Sequence, residues 1–359
     1  MIDFNLEKIF LDIAGEIAEE KGLDVDLFIS NLGVDKLNNI FDSIAKIQDD
    51  TLEKDKDDYI AQHISDMKEF EERLYDIWSK PLVRFEMIIV MCRELGSEIN
   101  QWHVDNGGWD IKLEVLSRLH AHSLQISCEI LQLLKSGFAD GAMARWRSLH
   151  ECSVIARILA SGNKELAEKY SDHKYIDDYK FAISYAEHSD SLQLRRLDKV
   201  SFKAVKDKYD ELIAKYGESF KKENGWSNDL FNKKKINFFD LENFAGLEFL
   251  RPFYKFSSVR VHVNSKSVDY KLSLSLSYKY NNDEILLSGP SNQGLVDPMQ
   301  CASMSLIDTT RSLLSINENV DSIISEKILA LWDVKLKQEL LEASELLEEK
   351  GSINRGEQN

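Results

Sequence analysis

The sequence predicts a mainly α-helical protein: an antiparallel helical bundle carrying one β-hairpin insertion near residues 268–289. Three observations carry that expectation. Only 4 Pro and 16 Gly punctuate 359 residues, so long helices are favoured over a sandwich or a collagen-like chain. Apolar residues recur at three- and four-residue spacing along most of the chain. In residues 270–280 the period changes to two, followed by the turn signal Asn281-Asn282-Asp283 and an apolar run, which is the pattern of a hairpin.

Taken in order, residues 5–21 place Leu6, Ile9, Phe10, Ile13, Ala14 and Ile17 at helical spacing, and Gly22 fits a C-terminal cap. Residues 25–47 predict a second, shorter helical pair. Residues 49–58 are polar and charged, as in an exposed connection or helix surface. Residues 1–60 are therefore expected to form an acidic helical N-terminal unit. Helical spacing resumes over 59–99, broken at Pro81. Asn106-Gly107-Gly108 signals a turn. Two long helices follow, over 109–136 and 142–160, and the short connection at 137–141 implies antiparallel neighbours. Ser161-Gly162-Asn163 closes the second, and 165–187 forms a third. After the hairpin, helix returns over 297–316 and 320–349. Residues 61–350 form the helical core, and 351–359 a disordered tail.

Charge narrows the function. The net charge is −17, and the first 80 residues hold 21 Asp+Glu against 9 Lys+Arg. Duplex nucleic acid bound over the whole surface is excluded, because phosphate binding rests on Lys and Arg. The acidic region is instead a candidate docking surface for a basic protein partner. Residues 195–235 reverse the sign, with 12 Lys+Arg and 7 Asp+Glu, and form either a solvated helix surface or an RNA-facing patch. Cys92, Cys128, Cys152 and Cys301 show no CxxC or metal-knuckle spacing and read as reduced thiols of a cytoplasmic protein. The start, Met1-Ile2-Asp3-Phe4, lacks a signal peptide's basic residues. No apolar run approaches the ~20 residues that span a bilayer, so no membrane segment is expected.

Cofactor and metal signals are missing. No Asp or Glu precedes any of the eight histidines by three residues, as a di-iron bundle requires. His-Glu-x-x-His, P-loop, dinucleotide and Gly-x-Ser-x-Gly motifs do not occur. The richest segment is Ala144-Arg145-Trp146-Arg147-Ser148-Leu149-His150-Glu151. Met143, Trp146, Arg147, His150, Glu151, Val154 and Ile158 follow the stripe that normally faces a core. A guanidinium, an imidazole and a carboxylate on such a face cost several kcal/mol unless paired. Either Arg147 and Glu151 form a structural ion pair beside a satisfied core histidine, or the three form a site. In the second case His150 transfers a proton, Glu151 sets its tautomer or charge, and Arg147 binds an anion. Polar companions would come from other helices: His122, Glu129, His173 with Asp177 one turn on, or His262 in Ser258-Val-Arg-Val-His262.

The run 137–158, centred on Arg147-Ser-Leu-His-Glu151, resembles a bacterial helical family known only as a domain of unknown function. That family pairs an Arg-x-x-x-Glu step with a later Ser-x-x-Val-His-like step, which residues 254–262 resemble. The resemblance covers about residues 112–290 and implies a helical fold. Arg145-Trp-Arg-Ser-Leu-His150 bears a remoter likeness to the HEPN superfamily of helical ribonucleases and defence toxins. That likeness implies metal-independent attack of an RNA 2′-hydroxyl on the adjacent phosphate, across a homodimer, with His150 as acid or base and Arg145 on the phosphate. On an unbroken helix, positions five apart diverge by about 140°, so Arg147 ranks above Arg145 as companion to His150. Two functions are thus expected: a metal-independent ribonuclease-like effector of toxin or antiphage type, or a non-catalytic helical binding or scaffold protein with a structural Arg-His-Glu cluster.

Overall fold

The computed structural model describes residues 5–107, 110–191, 193–261, 272–274 and 287–356. Every regular element among them is helical, as the sequence predicts. The hairpin is corrected. No strand occurs among the described residues, and residues 272–274, inside the expected first strand, form a turn. Their donors go to a carboxylate: Leu272 N–H and Ser273 N–H reach Asp140 at 3.0 and 3.2 Å, and Ser273 Oγ donates to it at 2.8 Å. Period-two spacing describes a strand only when its amides meet another strand, and here they meet Asp140. Residues 287–289, at its far end, form no strand either, and the rest of the expected hairpin lies outside the described residues.

The chain divides into two compact units, residues 1–73 and 74–359. In the first, α1 (Leu6–Glu20) ends where Gly22 adopts φ +65°, which lets Leu23 N–H return to Ala18 O at 2.9 Å. Asp24 caps α2 (Val25–Ser30) by accepting from the Asp26 and Leu27 amides. Ala14, Ala18 and Phe28 form the buried cluster of this unit.

Helix α3 runs from Val34 to Asn106 and includes Pro81. The proline therefore does not end the helix, contrary to expectation. It removes one backbone bond, but Trp78, Leu82, Phe85, Ile89 and Cys92 are buried around it, and that packing outweighs the local loss. Trp78 Nε1 donates to Asn292 O at 3.0 Å.

The core of the second unit is built on α4 (Ile111–Lys135), α5 (Ala139–Ser161) and α10 (Val296–Leu314). Asp110 caps α4 through the Leu113 amide, and Gly137 takes φ +77° in the tight connection to α5. Lys112, at the start of α4, donates to Ala160 O and Gly162 O at the end of α5. That contact fixes the two helices as antiparallel and places a cation where the α5 carbonyls are unpaired. On α10 the buried Thr309, Thr310 and Ser312 return their hydroxyls to carbonyls one turn back, so their small side chains can be packed without orphaned oxygens. The remaining helices are α6 (Lys164–His188), α7 (Lys199–Tyr216), α8 (Phe238–Ala245), α9 (Arg251–Val261) and α11 (Val320–Gly356).

Candidate functional site

Two short helices deliver polar groups to the α5 face that carries Arg147, His150 and Glu151. Helix α8 starts in a capping box, where Asn237 and Asp240 exchange side-chain and backbone bonds, and Gly246 in the left-handed region ends it. Its apolar sequence holds one inward carboxylate, Glu242, four residues after Phe238. Helix α9 follows after one 3₁₀ turn, and Arg251, Tyr254 and Ser258 share one of its faces.

The inner layer is fully enclosed. His150 and Glu242 are both 0% exposed, and His150 Nε2 lies 2.9 Å from Glu242 Oε1. The other oxygen of Glu242 accepts from Arg251. The imidazole stacks on Trp146 at 5.2 Å between centroids, with Phe238 and Tyr254 also against it. Trp146 is itself anchored, donating to Cys301 O and Ser305 Oγ on α10. His150 Nδ1 is buried without a hydrogen-bond partner among the described residues. The tautomer with its proton on Nε2 leaves only a lone pair there, which is cheaper to bury than an unpaired N–H.

The outer layer reaches solvent. Arg147 Nε donates to Glu151 Oε1 and to Tyr254 Oη, both at 3.1 Å, and Nη1 donates to Ser258 Oγ at 3.2 Å. Tyr254 Oη donates to Glu151 Oε1 at 2.6 Å. The guanidinium also lies over the Tyr254 ring, 4.8 Å from its centroid. Burial, then the bond to Glu151, pushes the Tyr254 hydroxyl well above its ordinary value, so it stays a neutral donor. Burial opposes the charge on Arg147, but Tyr254 and Glu151 together more than offset it, and its pKa is raised. The side chain of Arg147 is 27% exposed and that of Glu151 38%. Nη2 of Arg147 has no hydrogen-bond partner among the described residues.

The other sequence candidates stand elsewhere. Arg145 pairs with Glu129 on α4 and does not converge with His150. His122 is exposed on α4. His173 is buried on α6, with Nε2 2.9 Å from Lys222 O and its ring edge-on to Phe220, and burial lowers its pKa. His262 lies outside the described residues. Sequence reading missed Glu242 and Arg251 as partners. The available signal for Glu242 was a carboxylate beyond the capping-box Asp240, amid the apolar residues of a well-capped helix.

Half of the cations of the basic stretch 195–235 are neutralised by neighbours. Arg196, Lys206, Lys208, Lys215, Lys221 and Lys233, six of its 12 cations, each pair with a nearby acid. Among the described residues no group of three or more His, Cys, Asp or Glu could hold a metal ion, and no helix is long and apolar enough to cross a membrane.

Residues 113–279 match a family of unknown function, DUF5677. That span contains the whole cluster from Arg147 to Ser258 and agrees with the likeness to a domain of unknown function. The likeness to the HEPN superfamily gains no support. Comparison with curated proteins finds no significant match, and neither does comparison with solved structures.

Proposed function

We propose that this chain is a non-catalytic helical binding or scaffold protein, in which the Arg-His-Glu cluster locks α8 and α9 onto α5. The observation that carries this reading is the complete enclosure of His150 and Glu242. A general acid or base must reach the proton it transfers, and His150 instead spends its one bonded nitrogen on an equally buried carboxylate. Arg145, the phosphate ligand that a nuclease reading needs beside His150, is engaged by Glu129. The partner surface in this reading is the acidic first 80 residues, which suit a basic protein.

The outer layer favours a second reading, metal-independent RNA cleavage by a toxin-like effector. Among the described residues one guanidinium nitrogen of Arg147 has no partner, beside a partly exposed Glu151, as a phosphate contact would require. Incubating the full chain with RNA in EDTA separates the two. The scaffold reading expects intact RNA and a melting temperature lowered by His150→Ala. RNA cleaved by the wild type, and spared by a folded Arg147→Ala or His150→Ala protein, would replace the first reading with the second.

A further inference from the structure

Helix α11 is apolar on two opposite sides. Its inward side buries Leu329, Leu336, Leu340, Ala343 and Leu347 in the second unit. Its outward side carries Leu331, Val334 and Leu341, which are 60%, 63% and 58% exposed, flanked by exposed Ile324 and Ile328. A helix with apolar residues all round is normally buried all round. Isolated exposed apolar residues are ordinary, but a continuous stripe of them on one helix marks an interaction surface.

The order of residues along the stripe identifies the occupant. The exposed positions are Lys327, Leu331, Val334, Gln338, Leu341 and Glu345. They are separated by steps of four, three, four, three and four, and lie within about 80° of arc on the helix. That spacing is symmetric about position 336, and so is the chemistry at its ends. Placed against an inverted copy of itself, the stripe sets Lys327 opposite Glu345, Leu331 opposite Leu341, and Val334 opposite Gln338. Both ends gain an opposite-charge pair. A parallel arrangement would face Lys327 with Lys327 and Glu345 with Glu345. Neither residue has an ion-pair partner among the described residues. Apolar surface continues beside the stripe, where exposed Val83 and Met87 of α3 line a groove of about 590 Å³ against Trp332.

We infer that α11 is a homodimerisation helix: its outward face packs antiparallel on the same face of a second copy, with the two-fold axis at the level of residue 336. The interface is isologous, so each contact occurs twice. Gln338 near the axis sets register, as a polar residue in an apolar seam does.

Sedimentation velocity of the full chain over a range of concentrations tests this. The expected result is a reversible dimer. Leu331→Asp, on the outward side and away from the core, weakens it about a hundredfold or more, because two leucines leave the seam per dimer. Lys327→Glu weakens it about tenfold by opposing two pairs of glutamates, and adding Glu345→Lys restores it. A wild type that stays monomeric at high concentration overturns the inference and assigns the stripe to another partner. A dimer indifferent to Leu331→Asp overturns it as well. A dimer weakened by Leu331→Asp but indifferent to Lys327→Glu, or weakened by Lys327→Glu and not restored by adding Glu345→Lys, overturns the antiparallel register. Unchanged circular dichroism in each variant separates lost association from lost folding.

Discussion

Removing the carboxylate of Glu242 is the sharpest perturbation of the cluster. In the folded protein it accepts from Arg251 and sits 2.9 Å from His150 Nε2, with no exposed surface of its own. Glu242→Ala leaves the guanidinium of Arg251 beside a void and the imidazole N–H without an acceptor. Truncating one partner of a buried charged pair costs about 3–5 kcal/mol, and each orphaned buried donor accounts for about 1–3 kcal/mol of such losses. Glu242→Gln keeps the shape and one acceptor oxygen but exchanges a charge-assisted bond for a neutral one, a loss of about 1.5–3 kcal/mol. For a unit of this size, 1 kcal/mol moves the melting temperature by about 2–4 °C. Differential scanning calorimetry should therefore place Glu242→Ala about 6–20 °C below the wild type and Glu242→Gln between them. Removing His150 and Glu242 singly and together should give a coupling of about 1.5 kcal/mol or more, since their bond is direct. Additive effects, or a Glu242→Ala protein melting with the wild type, would refute the claim that this pair holds α8 on α5.

Other consequences concern positions outside the cluster. His120 is buried against Thr310, with Nε2 3.1 Å from Oγ1, and burial holds its pKa down to about 4 against an ordinary 6.5. The unfolded chain takes up a proton first, so this site's contribution is complete above pH 6.5. It is lost as the pH falls from there through about 4, by about 3 kcal/mol in total. Urea denaturation across that range should show a shallower pH dependence in His120→Asn. The same ring lies 2.5 Å from where a Cβ on Gly96 would stand, so Gly96→Ala should lose about 1–3 kcal/mol in thermal melts, and less in a His120→Ala background. Asp140 gathers three donors from residues 272–273, and Asp140→Ala should speed amide hydrogen exchange at Leu272 and Ser273 while leaving α5 protected.

Much of the architecture was legible because helical spacing is a local code. The cap at Gly22, the tight connection at Gly137 and the Arg147–Glu151 pair all involve residues within one turn of one another. Reading failed where a longer-range partner overruled the local pattern. Pro81 stays in a helix because buried neighbours hold it there. The alternation at 270–280 misled at 272–274 because Asp140, more than 130 residues earlier, takes the amides that a partner strand would have taken.

The primary structure alone settled that this chain folds into helices, and that a cation, an imidazole and an acid leave α5 together. Each of those facts depends on neighbours three or four positions apart. Only the tertiary structure settled what they meet. Glu242 stands 92 residues from His150 and Tyr254 stands 107 from Arg147, and no spacing rule reaches that far. Their juxtaposition follows from how α8 and α9 pack on α5, and that packing encloses the histidine while leaving the arginine at the rim.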